Sequence, residues 1–113
     1  MKANALRFDI YLPIYYNEKD SSDNRLLVEE EKFLITYEEL QNKFRGISVE
    51  DNPIRGSWLN DDGIHFDDES TVYHVLYKLT IDNLQWLGNY QEKLADRFRQ
   101  EEIFLYYIEV YRF

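Results

Sequence analysis

LRFDIYLPIYY, residues 6–16, is the stretch that decides the fold. Its apolar side chains fall on alternate positions, at Leu6, Phe8, Ile10, Leu12 and Ile14. Because successive side chains of a strand point to opposite faces, this alternation predicts a strand with one buried face. The other face would then carry Arg7, Asp9, Tyr11 and Tyr15.

Two helices are predicted downstream of this strand. Thr36-Tyr37-Glu38-Glu39 has the form of a capping box, in which a Thr hydroxyl and a Glu carboxylate satisfy each other's backbone amides. It predicts a helix over Thr36–Arg45, ended by Gly46 in the left-handed conformation. Apolar residues at helical spacing predict a second helix, Asp82–Arg99, which begins with a cap at Thr80 or at Asp82 itself.

The remaining alternation predicts further strands. They are Ile47–Glu50, Ile54–Leu59, Ile64–Phe66, Thr71–Thr80 and Ile103–Phe113. The turn Asn60-Asp61-Asp62-Gly63 predicts a hairpin, because an Asp-Gly pair readily adopts the positive φ angles that tight turns require. Asp67–Ser70 is expected to interrupt the strand that follows this turn.

Two other segments carry specific expectations. Acidic and turn-forming residues fill the segment 17–32, which predicts a mobile acidic loop, with Leu26-Leu27-Val28 either forming a brief strand or anchoring it. Gly88 lies inside the second helix, where glycine costs about 1 kcal/mol relative to alanine. We therefore expect that helix to approach the sheet or its neighbour closely at this position.

The order of elements is strand, helix, strand, strand, helix, strand. This order predicts a single α+β domain over residues 1–113, with the ferredoxin-like βαββαβ arrangement. In that arrangement a four-stranded antiparallel sheet carries two helices on one face, and its other face is left to meet solvent or a partner.

The composition excludes several classes of function. The chain has 22 acidic and 13 basic side chains, for a net charge of -9, so nucleic-acid phosphate is a poor partner. It has no cysteine, which excludes disulfides, thiolate nucleophiles and cysteine-based metal centres, and no motif calls for a cofactor. The apolar run Ile103–Ile108 is too short to span a membrane, and no signal segment opens the chain, so we expect a cytoplasmic protein.

The sheet face turned away from the helices is the first candidate for function. The pattern places Tyr11, Tyr15, Leu76, Leu105, Tyr107 and Tyr111 there, on the expectation that Phe104, Tyr106, Ile108 and Val110 point inward. Tyrosine combines a large contact area with a polar tip and is enriched at interfaces. A homodimer joined through this face is therefore expected, unless the acidic loop or the C-terminal residues of the chain cover it.

Ligand chemistry is the second candidate. A pocket between sheet and helices is expected near Trp58, Glu69 and His74, because Gly56 leaves room for Trp58 to form a wall. His65 and His74 are of the residue type that serves as a general base or metal ligand, but the sequence shows no convergence with a carboxylate, so no catalytic residue and no metal ligand is assigned. The balance of the motifs is against an enzyme.

Several short motifs together resemble a family of small bacterial α+β domains of ferredoxin-like type with no assigned activity. The resembling elements are Thr36 with Glu39-Leu40, Phe44-Arg45-Gly46-Ile47, Gly56-Ser57-Trp58 with Asp62-Gly63, Asp68-Glu69-Ser70 and Arg97–Ile103. The resemblance implies the fold and supplies no catalytic residue. Three functions are expected in this order: a dimerising binding module, a small-molecule-binding domain or enzyme, and an acidic inhibitor of a basic protein partner.

Overall fold

The computed structural model describes residues 2–19, 24–50, 52–78 and 80–112, with side chains at all of these except 2–4, 18–19, 58 and 66. Seven strands and two helices are present in the described ranges. In chain order they are β1 (Lys2–Pro13), β2 (Tyr15–Lys19), β3 (Arg25–Leu27), α1 (Glu30–Phe44), β4 (Ser48–Val49), β5 (Ile54–Leu59), β6 (His65–Lys78), α2 (Ile81–Arg97) and β7 (Leu105–Arg112). The result is a mixed α+β architecture.

Five of these strands form one antiparallel sheet. β1 lies between β6 and β7, and β4 and β5 both pair with β6. Ser70 of β6 faces Pro13 of β1 and Ile54 of β5, so β5 lies on the edge of β6 that β1 leaves free. β6 is continuous from His65 to Lys78, and the predicted interruption at Asp67–Ser70 is therefore wrong.

The core lies between one face of this sheet and the two helices. Residues directly opposite each other in an antiparallel sheet share a face. Phe8 faces Val75 of β6, both side chains are buried, and the Phe8 ring packs edge-on against Phe44 of α1 at 5.0 Å between centroids. The predicted buried face of β1 is thus confirmed at Leu6, Phe8, Ile10 and Leu12.

The start of α1 differs from the prediction. The helix begins at Glu30, six residues before the predicted cap at Thr36. Thr36 is fully buried inside the helix, where its hydroxyl donates to the Lys32 carbonyl oxygen at 2.7 Å and cannot cap. At the other end, Arg45 rather than Gly46 takes the left-handed conformation, with φ 70°.

Thr36 also belongs to a charged cluster that joins the two helices, the helix clamp. Arg97 of α2 donates to Thr36 Oγ1 at 2.8 Å and lies 2.6 Å from Glu39 Oε1. Lys93 reaches Glu39 Oε2 at 2.7 Å, and Tyr90 donates to Oε1 at 3.1 Å. Burial raises the pKa of Glu39, but the hydrogen bonds from Arg97 and Lys93 outweigh it and leave the pKa below its usual value.

The second helix confirms one of the two predicted caps. Thr80 accepts a hydrogen bond from the Asn83 amide at 3.1 Å, and the helix runs from Ile81 to Arg97. Its apolar stripe is buried as expected, at Leu87, Tyr90, Leu94 and Phe98.

Gly88 of α2 does not have the close neighbour expected for it. The residue is exposed, and a Cβ built on it would meet no atom within 4 Å. Gly88→Ala should therefore raise the free energy of unfolding by about 0.5–1 kcal/mol, since alanine loses less conformational entropy in a helix. Urea denaturation followed by circular dichroism measures the change, and an unchanged or lower midpoint would contradict it.

The segment predicted as one mobile loop, 17–32, contains parts of three elements. β2 pairs with β3, with Tyr15 facing Leu27, and α1 already starts at Glu30. The strand option for Leu26-Leu27-Val28 is confirmed in part by β3, and the Val28 amide donates to the Ile14 carbonyl at 2.8 Å. Residues 20–23 lie outside the described ranges. The chain therefore leaves the main sheet after Pro13, which removes Tyr15 from its predicted face.

The turn over Asn60–Gly63 is confirmed. Gly63 has φ 78°, and the Asn60 side chain accepts from the Asp62 and Ile64 amides at 3.0 and 2.9 Å. Among the described residues, neither helix is long and apolar enough to cross a membrane.

Candidate functional site

The sheet face turned away from the helices, here called the open face, is built by three neighbouring strands. The register places Arg7, Asp9 and Tyr11 of β1 beside Leu76, His74 and Val72 of β6 and beside Ile108, Tyr106 and Phe104 at β7. Leu76, Phe104 and Ile108 are 48%, 61% and 47% exposed. The open face therefore presents large apolar side chains to its surroundings.

The predicted faces of β7 are wrong. Leu105 lies opposite Ile10 and Tyr107 opposite Phe8, so both point to the helix side, and Tyr111 shares their parity. Leu105 packs against the core, whereas Tyr111 is 61% exposed beyond it. The sequence could not settle this, since both faces of β7 are apolar and only the pairing with β1 distinguishes them.

Of the six residues expected at an interface, two lie on the open face. They are Tyr11 and Leu76. Tyr15 belongs to β2, where Arg25 lies over its ring at 5.0 Å from the centroid. The residues that replace the misplaced ones on the open face are those of the opposite parity on the last strand, Phe104, Tyr106, Ile108 and Val110.

A buried carboxylate lies at the centre of the open face. Asp9 is only 3% exposed, and its two oxygens accept four hydrogen bonds. Oδ1 accepts from Arg7 Nε at 3.1 Å and lies 2.6 Å from His74 Nδ1, while Oδ2 accepts from Tyr106 at 2.7 Å and Arg7 Nη2 at 3.3 Å. Burial raises the pKa of Asp9, but the bonds from His74, Tyr106 and Arg7 outweigh it and lower the pKa overall. Asp9 is therefore a fully satisfied anion.

His74 links this carboxylate to the edge of the sheet. Its Nδ1 faces Asp9, and its Nε2 lies 2.7 Å from Oε1 of Glu50, just after β4. Burial lowers the pKa of His74, but the hydrogen bonds to Asp9 and Glu50 outweigh it, and the pKa is raised. An imidazolium that donates from both nitrogens has no lone pair to accept a proton or bind a metal. In its protonated form His74 bridges the carboxylates of Asp9 and Glu50. We call Arg7, Asp9, Glu50, His74 and Tyr106 the Asp9 network.

The pocket expected near Trp58, Glu69 and His74 is not assembled by the described residues. Glu69 and His74 alternate to opposite faces of β6, and Glu69 pairs instead with Arg55 Nε at 3.5 Å. The side chain of Trp58 lies outside the described part of the chain. Among the described residues, no group of three or more His, Asp and Glu is placed to hold a metal ion.

Ser57, His65 and Asp67 form a second polar group that resembles a catalytic triad only in composition. Ser57 Oγ lies 2.5 Å and Asp67 Oδ1 3.3 Å from the same nitrogen of His65, Nε2. In a triad the carboxylate holds the other nitrogen and so orients the base. The side chains of His65 and Asp67 are also 56% and 76% exposed, so this arrangement does not orient a base toward the serine.

A groove of about 620 Å³ opens at one end of the open face, beside the Asp9 network. β1, β5, β6 and the segment before β7 each contribute to its lining, with Tyr11, Ile54, Asp68, Ser70, Glu102 and Phe104 among the residues. Its volume falls within the range of about 300–1,000 Å³ that small-molecule sites occupy. The groove was not predicted from the sequence, because it requires Phe104, in the segment before β7, to lie on the same face as Tyr11.

The charges near the middle of the open face balance one another. Arg7 and Lys78 are cationic, Asp9 and Glu50 are anionic, and His74 lies between the two carboxylates. The excess acid of a chain with net charge -9 therefore lies elsewhere. A comparison of the sequence with protein-family models gives no match, and a comparison with curated proteins finds no similar sequence.

Proposed function

We propose that the protein is a non-enzymatic binding module that forms a homodimer through the open face of its sheet. The observation that carries this proposal is the set of exposed apolar side chains on that face, Leu76, Phe104 and Ile108. Monomeric proteins rarely expose contiguous apolar patches beyond a few hundred Å² unless a partner covers them. A cytoplasmic location is part of the proposal, consistent with the lack of cysteine.

The topology supports a ferredoxin-like frame for this module. β4 and β5 lie along the same edge of β6 and together count as one interrupted strand. The sheet order then becomes β4/β5, β6, β1, β7, with every neighbouring pair antiparallel. That order, with one helix before β4 and one before β7, supports a split βαβ pattern to which the β2–β3 hairpin is added. It also agrees with the resemblance to small bacterial domains of that type.

The open face is large enough for a second copy. Strands lie about 4.8 Å apart and rise about 3.3 Å per residue, so nine residues across four strands cover about 600 Å² in projection. A stable interface buries about 800 Å² of accessible surface from each partner. The accessible area of the open face is larger than its projected area, because side chains protrude from the sheet. Two copies related by a twofold axis would each bury the same patch.

The charge distribution favours a copy of the same chain as partner. Two molecules with net charge -9 repel at a distance, so self-association requires a surface on which opposite charges balance. The open face meets this requirement, with Arg7 and Lys78 beside Asp9 and Glu50. The exposed acids on the helices and loops would remain in solvent at the periphery.

Sedimentation equilibrium tests the dimer. Ile108→Asp or Leu76→Asp should raise the dimer dissociation constant at least tenfold, which corresponds to about 1.4 kcal/mol, because a charge would be buried in an apolar contact. Leu34→Asp is the matched control, since Leu34 is 56% exposed on α1 and lies outside the open face. A strict monomer at millimolar concentration, or an equal effect of the control, would contradict the proposal.

A further inference from the structure

We propose that the groove at the end of the open face binds a small organic cation with an apolar body. The groove lies where Tyr11, Ser70 and Phe104 meet, on the side of Asp9 away from Ile108. The groove shares Phe104 with the proposed dimer contact but lies at its end, away from Leu76 and Ile108. The inference goes beyond the dimer and does not depend on it.

The sign of the ligand charge follows from the lining. The groove contains the carboxylates of Asp68 and Glu102, and none of its described lining residues is a lysine, arginine or histidine. Arg55, next to Gly56 on β5, points to the other face and pairs with Glu69. Arg99, next to Gln100, lies over the Tyr16 ring at 4.5 Å from the centroid. An anion would thus meet repulsion in the groove, whereas a cation would meet the exposed carboxylate of Glu102.

Aromatic rings supply the second reason for a cation. The rings of Tyr11 and Phe104 lie 5.1 Å apart at 56°, and Tyr106 packs 6.1 Å from Tyr11 and 5.4 Å from Phe104. The faces of aromatic rings carry partial negative charge and attract ammonium groups. Tyr106 is fixed by its hydrogen bond to Asp9, so the Asp9 network holds this ring cluster in place.

The apolar body of the ligand follows from the rest of the lining. Pro13 and Ile54 contribute apolar surface, while Ser70 adds a hydroxyl group. Gly56 lines the groove with backbone alone, and a Cβ placed there would meet no protein atom within 4 Å. The missing side chain therefore leaves space in the groove that a ligand can occupy.

The proposal is tested by NMR titration with three probes of similar size and different charge: benzyltrimethylammonium, benzyl alcohol and phenylacetate. The amide signals of Gly56, Ser57 and Ser70 report on the groove. We expect the cation to bind at least about fivefold more tightly than the alcohol and more tightly still than the anion. Equal or tighter binding of either other probe, or no shift with the cation at 10 mM (roughly the weakest range of fragment binding), would overturn the proposal.

Variants identify the site. Glu102→Gln and Phe104→Leu should each weaken binding of the cation by about two- to fivefold, and Gly56→Val should abolish it by filling the groove. Glu101→Gln is the matched control, because Glu101 is exposed and does not line the groove. Full binding by Gly56→Val, in a variant whose spectrum shows a folded protein, would overturn the assignment.

These experiments can refute the dimer proposal and the groove proposal independently of each other. Ile108→Asp should dissociate the dimer and leave binding of benzyltrimethylammonium within about twofold of the wild type, because Ile108 does not line the groove. A monomeric wild-type protein that still binds the cation would refute only the dimer. A dimer that does not discriminate among the three probes would refute only the groove proposal.

Discussion

Asp9→Asn is expected to lower the free energy of unfolding at pH 6 by about 2–4 kcal/mol. The substitution keeps the shape of the side chain but removes the negative charge of Asp9, which His74, Tyr106 and Arg7 all contact. Removing one partner of a buried charged pair leaves the others desolvated and incompletely paired, which costs more than the pair itself contributes. The decrease in the free energy of unfolding is limited because the Arg7 side chain is 46% exposed and can be hydrated by solvent in the variant.

The pH profile separates this network from a simple packing defect. His74 has a raised pKa, so its contribution to stability is complete below the unfolded value of 6.5 and is lost as the pH rises through the folded value. Asp9 has a lowered pKa, so its contribution is present above 3.8 and is lost as the pH falls through the folded value. The difference in the free energy of unfolding between wild type and Asp9→Asn should therefore be largest near pH 6 and should become smaller toward alkaline pH.

Urea denaturation at fixed protein concentration across this pH range measures both effects. Asp67→Asn is the matched control, since Asp67 also lies near a histidine, His65, but is 76% exposed. It should change the stability by less than about 0.5 kcal/mol. A loss of stability by Asp9→Asn that is the same at every pH would show that His74 is not charged in the folded protein.

Arg97→Met is expected to cost about 1.5–3 kcal/mol through the helix clamp. The Arg97 side chain is 14% exposed, and its guanidinium binds Glu39 of α1 and the buried hydroxyl of Thr36. Methionine keeps the apolar stem and removes both charge-assisted hydrogen bonds, which are worth more than neutral ones. Thermal or urea denaturation gives the change in stability.

Lys93→Met is the control for the clamp, because Lys93 binds the same carboxylate from a more exposed position. Its side chain is 58% exposed, against 14% for Arg97, although its contact with Glu39 is as short, at 2.7 Å. The exposed pair should contribute less than about 1 kcal/mol. Equal losses in the two variants would indicate that burial does not determine the strength of this cluster.

The sequence predicts the parts of the fold in which local pattern and tertiary contact agree. β1 alternates between apolar and polar residues, so its faces could be assigned from its period alone. β7 has apolar residues on both faces, and its assignment required the pairing of Phe8 with Tyr107. Thr36 matches a helix cap in sequence, but the upstream residues Glu30 and Glu31 already suit the positive end of a helix and extend it.

The candidate site could be predicted only in part, for a physical reason. Parity places Arg7 and Asp9 on one face of β1, but their contact with His74 depends on the register between strands. Glu50 and Tyr106 come from two further segments, and nothing local in the sequence marks them as partners of Asp9. An acidic residue in the middle of an apolar strand was the available signal, since burial there demands several donors.

The Asp9 network also has a consequence for how the strands find their alignment during folding. A slip of β1 by two residues along β6 would keep every apolar side chain of β1 on the helix side, so hydrophobicity alone does not exclude it. Such a slip would place Asp9 opposite Val72 or Leu76 in place of His74. The same slip along β7 would place Asp9 opposite Phe104 or Ile108 in place of Tyr106. Each misaligned sheet would separate the Asp9 carboxylate from His74 and Tyr106 and place it beside apolar side chains, so one charged residue favours a single alignment of three strands.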